Sequence, residues 1–449
     1  MPSNDFVASF IRLSPAFNNR YSFGNRKLSW QHEQFDGIFR KHGRFSMNFE
    51  DITSDRFVFE SANGINAVRR TGGKRAMKPL PAGSPIAVDL FAGAGGFSLG
   101  ALYARLHVVA AVEYDPSACK TYRRNLIEIA GARTHLFDKN ILEIDPAELM
   151  RTVDLVPGQC DILLGGPPCQ GFSAHRLNNA GVNDPRNSLL IRYFEYVKIL
   201  RPKVFLVENV PGMLWPRHRD WIDEFYRLAD AAGYELPPPF SLNAKDYGVP
   251  QNRKRVFLVG RDRSLKIAID WPPSPSHHSP DESGRAGGKK KPWRVAATVF
   301  QRKLRKEDPN NRHMQHGKAL TDAFKKTPIN GGSRSASGRT LACHSDHDGH
   351  SDVYGRINPR LPGPTMTTAC VNPSKGRFVH PTRAHGITLR HAARFQTFPD
   401  WYEFQGGLMA GGAQVGNAVP VKMARVLLSS LMASVKKGTV EIAKVASKA

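Results

Sequence analysis

Cys169 is the residue with the most pointed chemistry. It lies in Asp161-Ile162-Leu163-Leu164-Gly165-Gly166-Pro167-Pro168-Cys169-Gln170-Gly171-Phe172-Ser173, an apolar run that breaks into a glycine pair and two prolines. The prolines stiffen a loop at the end of a buried strand, which is where open α/β sheets carry their sites. A rigid loop holding a thiol suits a positioned nucleophile. The alternative, a small buried hydrophobe, fits Cys119 and Cys160 better. Glu208 follows the apolar run Val204–Val207 and so can face the same cleft. It reads either as an acid or as a carboxylate paired with an arginine. Arg253 and Arg255 alternate in Gln251-Asn252-Arg253-Lys254-Arg255, and an extended backbone puts both on one face.

A second constellation precedes these. Ile86-Ala87-Val88-Asp89-Leu90-Phe91-Ala92-Gly93-Ala94-Gly95-Gly96-Phe97-Ser98 reads as strand, tight glycine turn and helix start. Glycines let backbone approach a ligand, and a helix N-terminus offers free N–H groups. Glu113 follows 20 residues after Gly93, at the end of the next apolar run, and suits ribose hydroxyls. The dinucleotide fingerprint fails at Ser98, so a single adenosine-type cofactor is expected. The bland reading is a glycine turn that only packs a helix on a sheet.

These motifs need elements to position them. Short apolar runs at Ile86–Leu90, Val108–Val112, Cys160–Leu164, Val204–Val207 and Val256–Val259 alternate with helix-compatible stretches such as Pro116–Ile129 and Leu189–Leu200. That alternation predicts βαβ units and a parallel sheet, an α/β fold. After Gly260 the texture changes: residues 261–385 hold 23 Lys+Arg against 10 Asp+Glu, a net of +13. So strong a shift predicts a second, basic domain. Beyond Ile387 order returns, with Val421, Ala424, Leu427, Leu428, Leu431 and Val435 on one face of a last helix behind Pro420.

Composition narrows the partners. The chain has 449 residues, 64 Lys+Arg and 39 Asp+Glu, a net charge of +25, which points to a polyanion such as nucleic acid. Five cysteines without a CxxC pair argue against a disulfide framework or a structural zinc and fit a cytoplasmic protein. His344, His347 and His350 with Asp346 and Asp348 read as a polar loop rather than a metal site. No transmembrane helix is expected: the first strong apolar stretch, Leu90–Ala104, is only 15 residues long and glycine-rich.

Taken in order, Asp89–Gly96, Gly165–Ser173, Glu208-Asn209-Val210, Gln251–Arg255, Leu389–Asp400 and Gln414–Pro420 resemble the motifs of the DNA (cytosine-5) methyltransferases of the bacterial modification type, over about residues 86–436. The resemblance implies a Rossmann-like methyltransferase domain, S-adenosylmethionine as cofactor and double-stranded DNA as substrate. It implies an extension at 1–83, a catalytic and cofactor-binding domain at 84–260, a target-recognition domain at 261–407 and a completing helix at 408–449. Cys169 would add to carbon 6 of a flipped cytosine, so that carbon 5 attacks the sulfonium methyl. Glu208 would protonate ring nitrogen 3 if burial keeps it protonated near neutrality. Arg253 and Arg255 would lie beside the base and the thiol, favouring the thiolate.

For the cofactor, the resemblance implies Phe91 on the adenine, Gly93 and Gly95 at the turn, Glu113 on the ribose, and Pro167, Asn417 and Ala418 around it. Asn140 stands where an Asp is usual, with Asp138 nearby. His391 stands where Glu is usual. Gln251, Arg334 after Gly331-Gly332, and Thr365 would contact DNA. A cognate restriction endonuclease, a monomeric state and no membrane association complete the expectation. A tRNA cytosine methyltransferase shares this chemistry. A catalytically silent DNA-binding regulator on the same fold is the reading from another class.

Overall fold

The computed structural model describes residues 80–167, 188–265, 267–280, 291–337 and 353–446. Cys169, the cluster His344–His350 and the extension up to residue 79 lie outside them. Five parallel strands form the heart of the sheet: β1 (Ile86–Leu90), β2 (His107–Val112), β3 (His135–Phe137), β4 (Ile162–Gly165) and β5 (Val204–Asn209). Their order is β3-β2-β1-β4-β5. β6 (Tyr234–Glu235) and β7 (Phe240–Asn243) both pair antiparallel with β8 (Lys254–Asp262), which lies antiparallel on β5. The compositional break after Gly260 therefore falls inside β8, not beyond the sheet. A small parallel pair, β9 (His277–His278) and β10 (Lys291–Pro292), stands apart.

Helices cover both faces, as parallel strands require. The α-helices of seven or more residues among the described ones are α1 (Gly96–Tyr103), α2 (Pro116–Tyr122), α3 (Pro146–Thr152), α4 (Ser188–Leu200), α5 (Arg219–Ala231), α6 (Lys318–Lys326), α7 (Leu389–Phe395), α8 (Leu408–Asn417) and α9 (Val421–Ala446). Strand residues alternate between two cores. Val88, Leu163, Phe205 and Leu258 meet α3, α4 and α5. Ala87, Ile162, Val204 and Phe257 meet α1 and α9 on the other face. The expected face of α9 is the buried one: Val421, Ala424, Leu427, Leu428, Leu431 and Val435 are all buried. Each such Leu contributes roughly 1.5–3 kcal/mol by leaving water. Gly100 lets α1 approach that helix, because a Cβ there would lie 2.4 Å from the Ala424 Cβ.

Contrary to the expectation of no such helix, Leu408–Gly438 is apolar and long enough to cross a membrane by composition, but its most apolar part is mostly buried inside the fold. A third core joins the two expected domains. Ala94, Tyr122 and Leu126 pack with Val299, Ile357, Phe378, Phe395 and Tyr402.

Two local departures have physical causes. The helix expected over Pro116–Ile129 is α-helical only to Tyr122 and continues as a π-helix over Arg123–Ile129. The buried Asn125 amide donates to the Thr121 carbonyl at 2.7 Å, taking the acceptor its own backbone would use. His391 replaces an expected acid by doing its work. It completes a capping box on α7: Thr388 Oγ1 accepts from His391 N, and His391 Nδ1 accepts from Thr388 N. Burial, and then the neighbouring His380, hold this imidazole well below its ordinary value, so it stays an acceptor. Beside it Arg390 and Asp308 form a buried bidentate pair at 2.6 and 2.9 Å, which ties α7 to the segment before α6.

Candidate active site

The carboxyl ends of β4 and β5 bring Gly166 and Pro167 against Glu208 and Asn209. Gly166 lies against Glu208, where a Cβ would stand 2.9 Å from the Glu208 carbonyl oxygen. One residue on, the Pro167 carbonyl accepts from Asn209 Nδ2 at 3.2 Å. The chain thus enters the Pro-Pro-Cys segment from a fixed point, two residues before Cys169. Asn209 was not singled out as a site residue; its signal is its place between Glu208 and Val210. Arg255 Nε stands 2.8 Å from Glu208 Oε1, with both side chains 13% exposed. The N–H does not point along that line, since Oε1 lacks an aligned hydrogen bond, so the contact is one of charge. Of the two readings of Glu208, the arginine-paired carboxylate is the one this contact shows.

Arg253 departs from expectation. It is 1% exposed, and its guanidinium donates to the carbonyls of Met366 (2.9 Å), Gly416 (2.8 Å) and Ala418 (3.1 Å). Burial and the adjacent Arg255 lower it to about 9, with Glu208 opposing, so it stays charged at neutrality. Its charge is close to Glu208 and Arg255, but its hydrogen bonds are spent inside. Gln251 departs further from its expected DNA contact. Fully buried, it donates to Phe395 O and Gln396 Oε1 and accepts from Met366 N. Thr365 stays at the surface and donates to Asn252 O at 2.7 Å.

The glycine turn is built for close approach. Phe91 and Gly93 have positive φ values of 59° and 56°. A Cβ on Gly93 would meet nothing within 4 Å, whereas one on Gly95 would stand 2.5 Å from Leu126 Cδ1. Gly95 therefore serves packing, and Gly93 borders open space. Gly93 N donates to Glu113 Oε2 (2.8 Å), and Tyr114 N and Asp115 N donate to Oε1. Burial pushes this carboxyl upward against those three bonds. A carboxylate has about four acceptor positions, so one remains for a hydroxyl. Tyr114, missed in the sequence, is 71% exposed beside it; an aromatic directly after the strand-ending acid was the available signal.

On the other wall, a Cβ on Gly96 would meet Val419 O at 2.5 Å and Ala418 Cβ at 3.2 Å, so α1 abuts the Asn417–Val419 segment. Asn417 is exposed and Ala418 buried. Asn140 Oδ1 accepts from Leu142 N at 3.1 Å, while Asp138 pairs with Arg123 on the surface. An open glycine, an acceptor with spare capacity and an exposed ring fit an adenosine-type cofactor.

Asp89 lies beneath this turn, 1% exposed, and Ser98 Oγ donates to its Oδ2 at 2.5 Å. Burial raises it from 3.8 to about 7. The folded state holds this proton more tightly than the unfolded state. Its contribution is fully present below about pH 4 and is lost as pH rises to about 7. Asp89→Asn should flatten that slope in urea midpoints measured from pH 4 to 8; an unchanged slope would mean Asp89 ionises freely.

Far along the chain, Arg334 opens a short 3-10 turn, Arg334–Ser337, after the Gly331-Gly332 bend. Arg377 braces the bend by donating to Gly331 O and Ser333 Oγ. Two Arg334 nitrogens, Nε and Nη1, are buried without a partner among the described residues. No three His, Cys, Asp or Glu side chains among the described residues can hold a metal.

The sequence matches the model of the C-5 cytosine-specific DNA methylase family over residues 87–433. It is 31% identical over 396 residues to the type II methyltransferase M.XorII of Xanthomonas oryzae pv. oryzae, covering 79% of this chain and 86% of that protein. It is 33% identical over 379 residues to M.DdeI of Desulfomicrobium norvegicum, covering 76% and 86%. Among solved structures, a prophage-encoded DNA modification methyltransferase from E. coli aligns with a TM-score of 0.59 at 24% identity, over 79% of this chain and all of that one. That likeness is one of fold.

Proposed function

The chain belongs to the C-5 cytosine-specific DNA methylase family, and on that premise we propose the residues by which it works. It methylates carbon 5 of cytosine in DNA, sequence-specifically. Carbon 5 of cytosine is a poor nucleophile. Addition of the Cys169 thiolate to carbon 6 gives carbon 5 enamine character. Glu208 donates a hydrogen bond or proton to ring nitrogen 3, and Arg255 holds that carboxyl in place. S-adenosylmethionine, when bound, supplies an electrophilic methyl group. Gly93, Glu113, Tyr114, Phe91, Pro167, Asn417 and Ala418 line its place, with Asn140 or Asp138 toward the adenine. Loss of the carbon-5 proton to solvent then expels Cys169.

The observation that carries this reading is the convergence of Gly166, Pro167, Glu208 and Arg255 at the carboxyl edge of the parallel strands. Extruding the base costs roughly a few kcal/mol, met by phosphate contacts from the basic segment 261–407. Thr365 sits at the DNA face, and Arg334 reads a base edge, guanine by preference. We place the protein in the cytoplasm as a monomer paired with a restriction endonuclease.

Labelled methyl transfer to duplex DNA and to tRNA tests the substrate. Transfer to duplex DNA alone is expected; transfer to tRNA alone would overturn it. Sequencing the methylated positions tests Arg334: Arg334→Ala should relax one base, by roughly 1–3 kcal/mol of discrimination. An unchanged site would remove it from recognition.

A further inference from the structure

The turn Ala244–Tyr247, between β7 and β8, gathers three other segments. Ser276 N donates to Asp246 O at 3.0 Å, Tyr247 Oη to Pro273 O at 3.0 Å, and the Trp293 indole to Asp246 Oδ1 at 2.8 Å. β9 and the start of α9 both pack on this turn. Gly248 closes it at φ +75°, and a Cβ there would lie 2.5 Å from both His277 Cε1 and Lys422 Nζ. The imidazole and the ammonium therefore stand side by side. Lys291 pairs with His277 across β9 and β10, and Arg294 follows three residues on.

Cations have converged here, and the acid of the turn, Asp246, accepts from the Trp293 indole. Among the described residues, Lys422, Arg294, Lys291 and Arg425 form no ion pair. Lys422 also occupies the first turn of α9, which has no acidic residue, at the end where the helix dipole disfavours a cation. Burial, then Arg294, Lys291 and Arg425, bring Lys422 down to about 8. Burial, then Lys422, Arg294, Lys291 and His278, press His277 down to about 4. Burial also lowers Arg294. Half-buried like charges oppose folding unless an anion joins them.

We propose that Lys422, Arg294, Lys291 and His277 form a phosphate-binding site, which takes a backbone phosphate of the DNA substrate. A phosphate offers several acceptor oxygens to such a mixed set of donors. This rests on DNA as substrate, and the turn leads through Gly248 directly into Gln251–Arg255 at the catalytic edge of the sheet. The site holds the duplex in register and carries no base information.

The test uses the full chain with Lys422→Gln, Arg294→Gln and the double variant. Anisotropy with a labelled duplex, across a salt series, gives the log–log slope. Each lost phosphate contact should flatten it by about 0.9, equally on target and non-target duplexes. Lys422→Arg should restore the slope. Both glutamine variants should melt higher than wild type, because a repulsion is relieved. A raised melting point with an unchanged slope would overturn the proposal, as would a lowered one with an unchanged slope, which marks a structural role. If inorganic phosphate, against chloride at equal ionic strength, raises the melting point of the wild type alone while the DNA slope stays put, the site takes free phosphate and the backbone assignment falls. Variants that flatten the slope, beside a wild type that never methylates duplex DNA, would count against the enzymatic reading instead.

Discussion

Cys169→Ala should lower methyl transfer by roughly 10⁴-fold or more while leaving cofactor binding and the unfolding midpoint near wild type. Carbon 5 has no useful nucleophilicity until carbon 6 is attacked, so no other residue in the site can substitute. The approach to the thiol is fixed without it: Gly166 rests on Glu208, and Asn209 holds the Pro167 carbonyl. A loss confined to turnover, seen in labelled transfer beside urea unfolding, is therefore expected. Comparable turnover by the alanine variant would remove Cys169 from the reaction.

Arg253→Leu should act through the fold instead. Its guanidinium joins three carbonyls from two distant segments, Met366 on one side and Gly416 and Ala418 on the other. Replacing it takes that donor from the Met366 and Gly416 carbonyls in a closed environment, while Ala418 O keeps Gln396 Nε2, a cost of roughly 3–5 kcal/mol. Arg253→Lys should recover only part, because one ammonium cannot reproduce the planar fork. The loss should appear as a lower urea midpoint and weaker cofactor binding together, since Ala418 lies on the wall proposed for the cofactor. An unchanged midpoint with lost turnover would return Arg253 to the reacting face.

What the sequence disclosed follows from what is local. The run Ile86–Leu90 with its glycines was legible because strand, turn and helix start are contiguous. Glu208 was legible because it follows a buried apolar run. The buried stripe of α9 was legible because helical period alone defines it. Gln251 and Arg253 were not, because an alternating basic segment looks the same whether it faces DNA or carbonyls. Their acceptors lie 113 to 165 residues away in the chain. The boundary expected after Gly260 lies inside β8 for a related reason: composition changes before β8 has finished pairing with β5. The π-helical end of α2 depends on one buried amide that also reaches Glu403. The cation cluster around Lys422 was invisible, because three segments must come together before their charges add.

The covalent step proposed for Cys169 is one that can be trapped. A duplex with 5-fluorocytosine at the methylated position is incubated with the full chain and S-adenosylmethionine, digested, and the cross-linked peptide is sequenced by mass spectrometry. Fluorine at carbon 5 cannot leave as a proton does, so elimination stops and the thioether persists. The expected adduct lies on the peptide containing Cys169 and is absent from Cys169→Ala. Normal methylation of the unfluorinated duplex, with no adduct or with one on another residue, would contradict the mechanism.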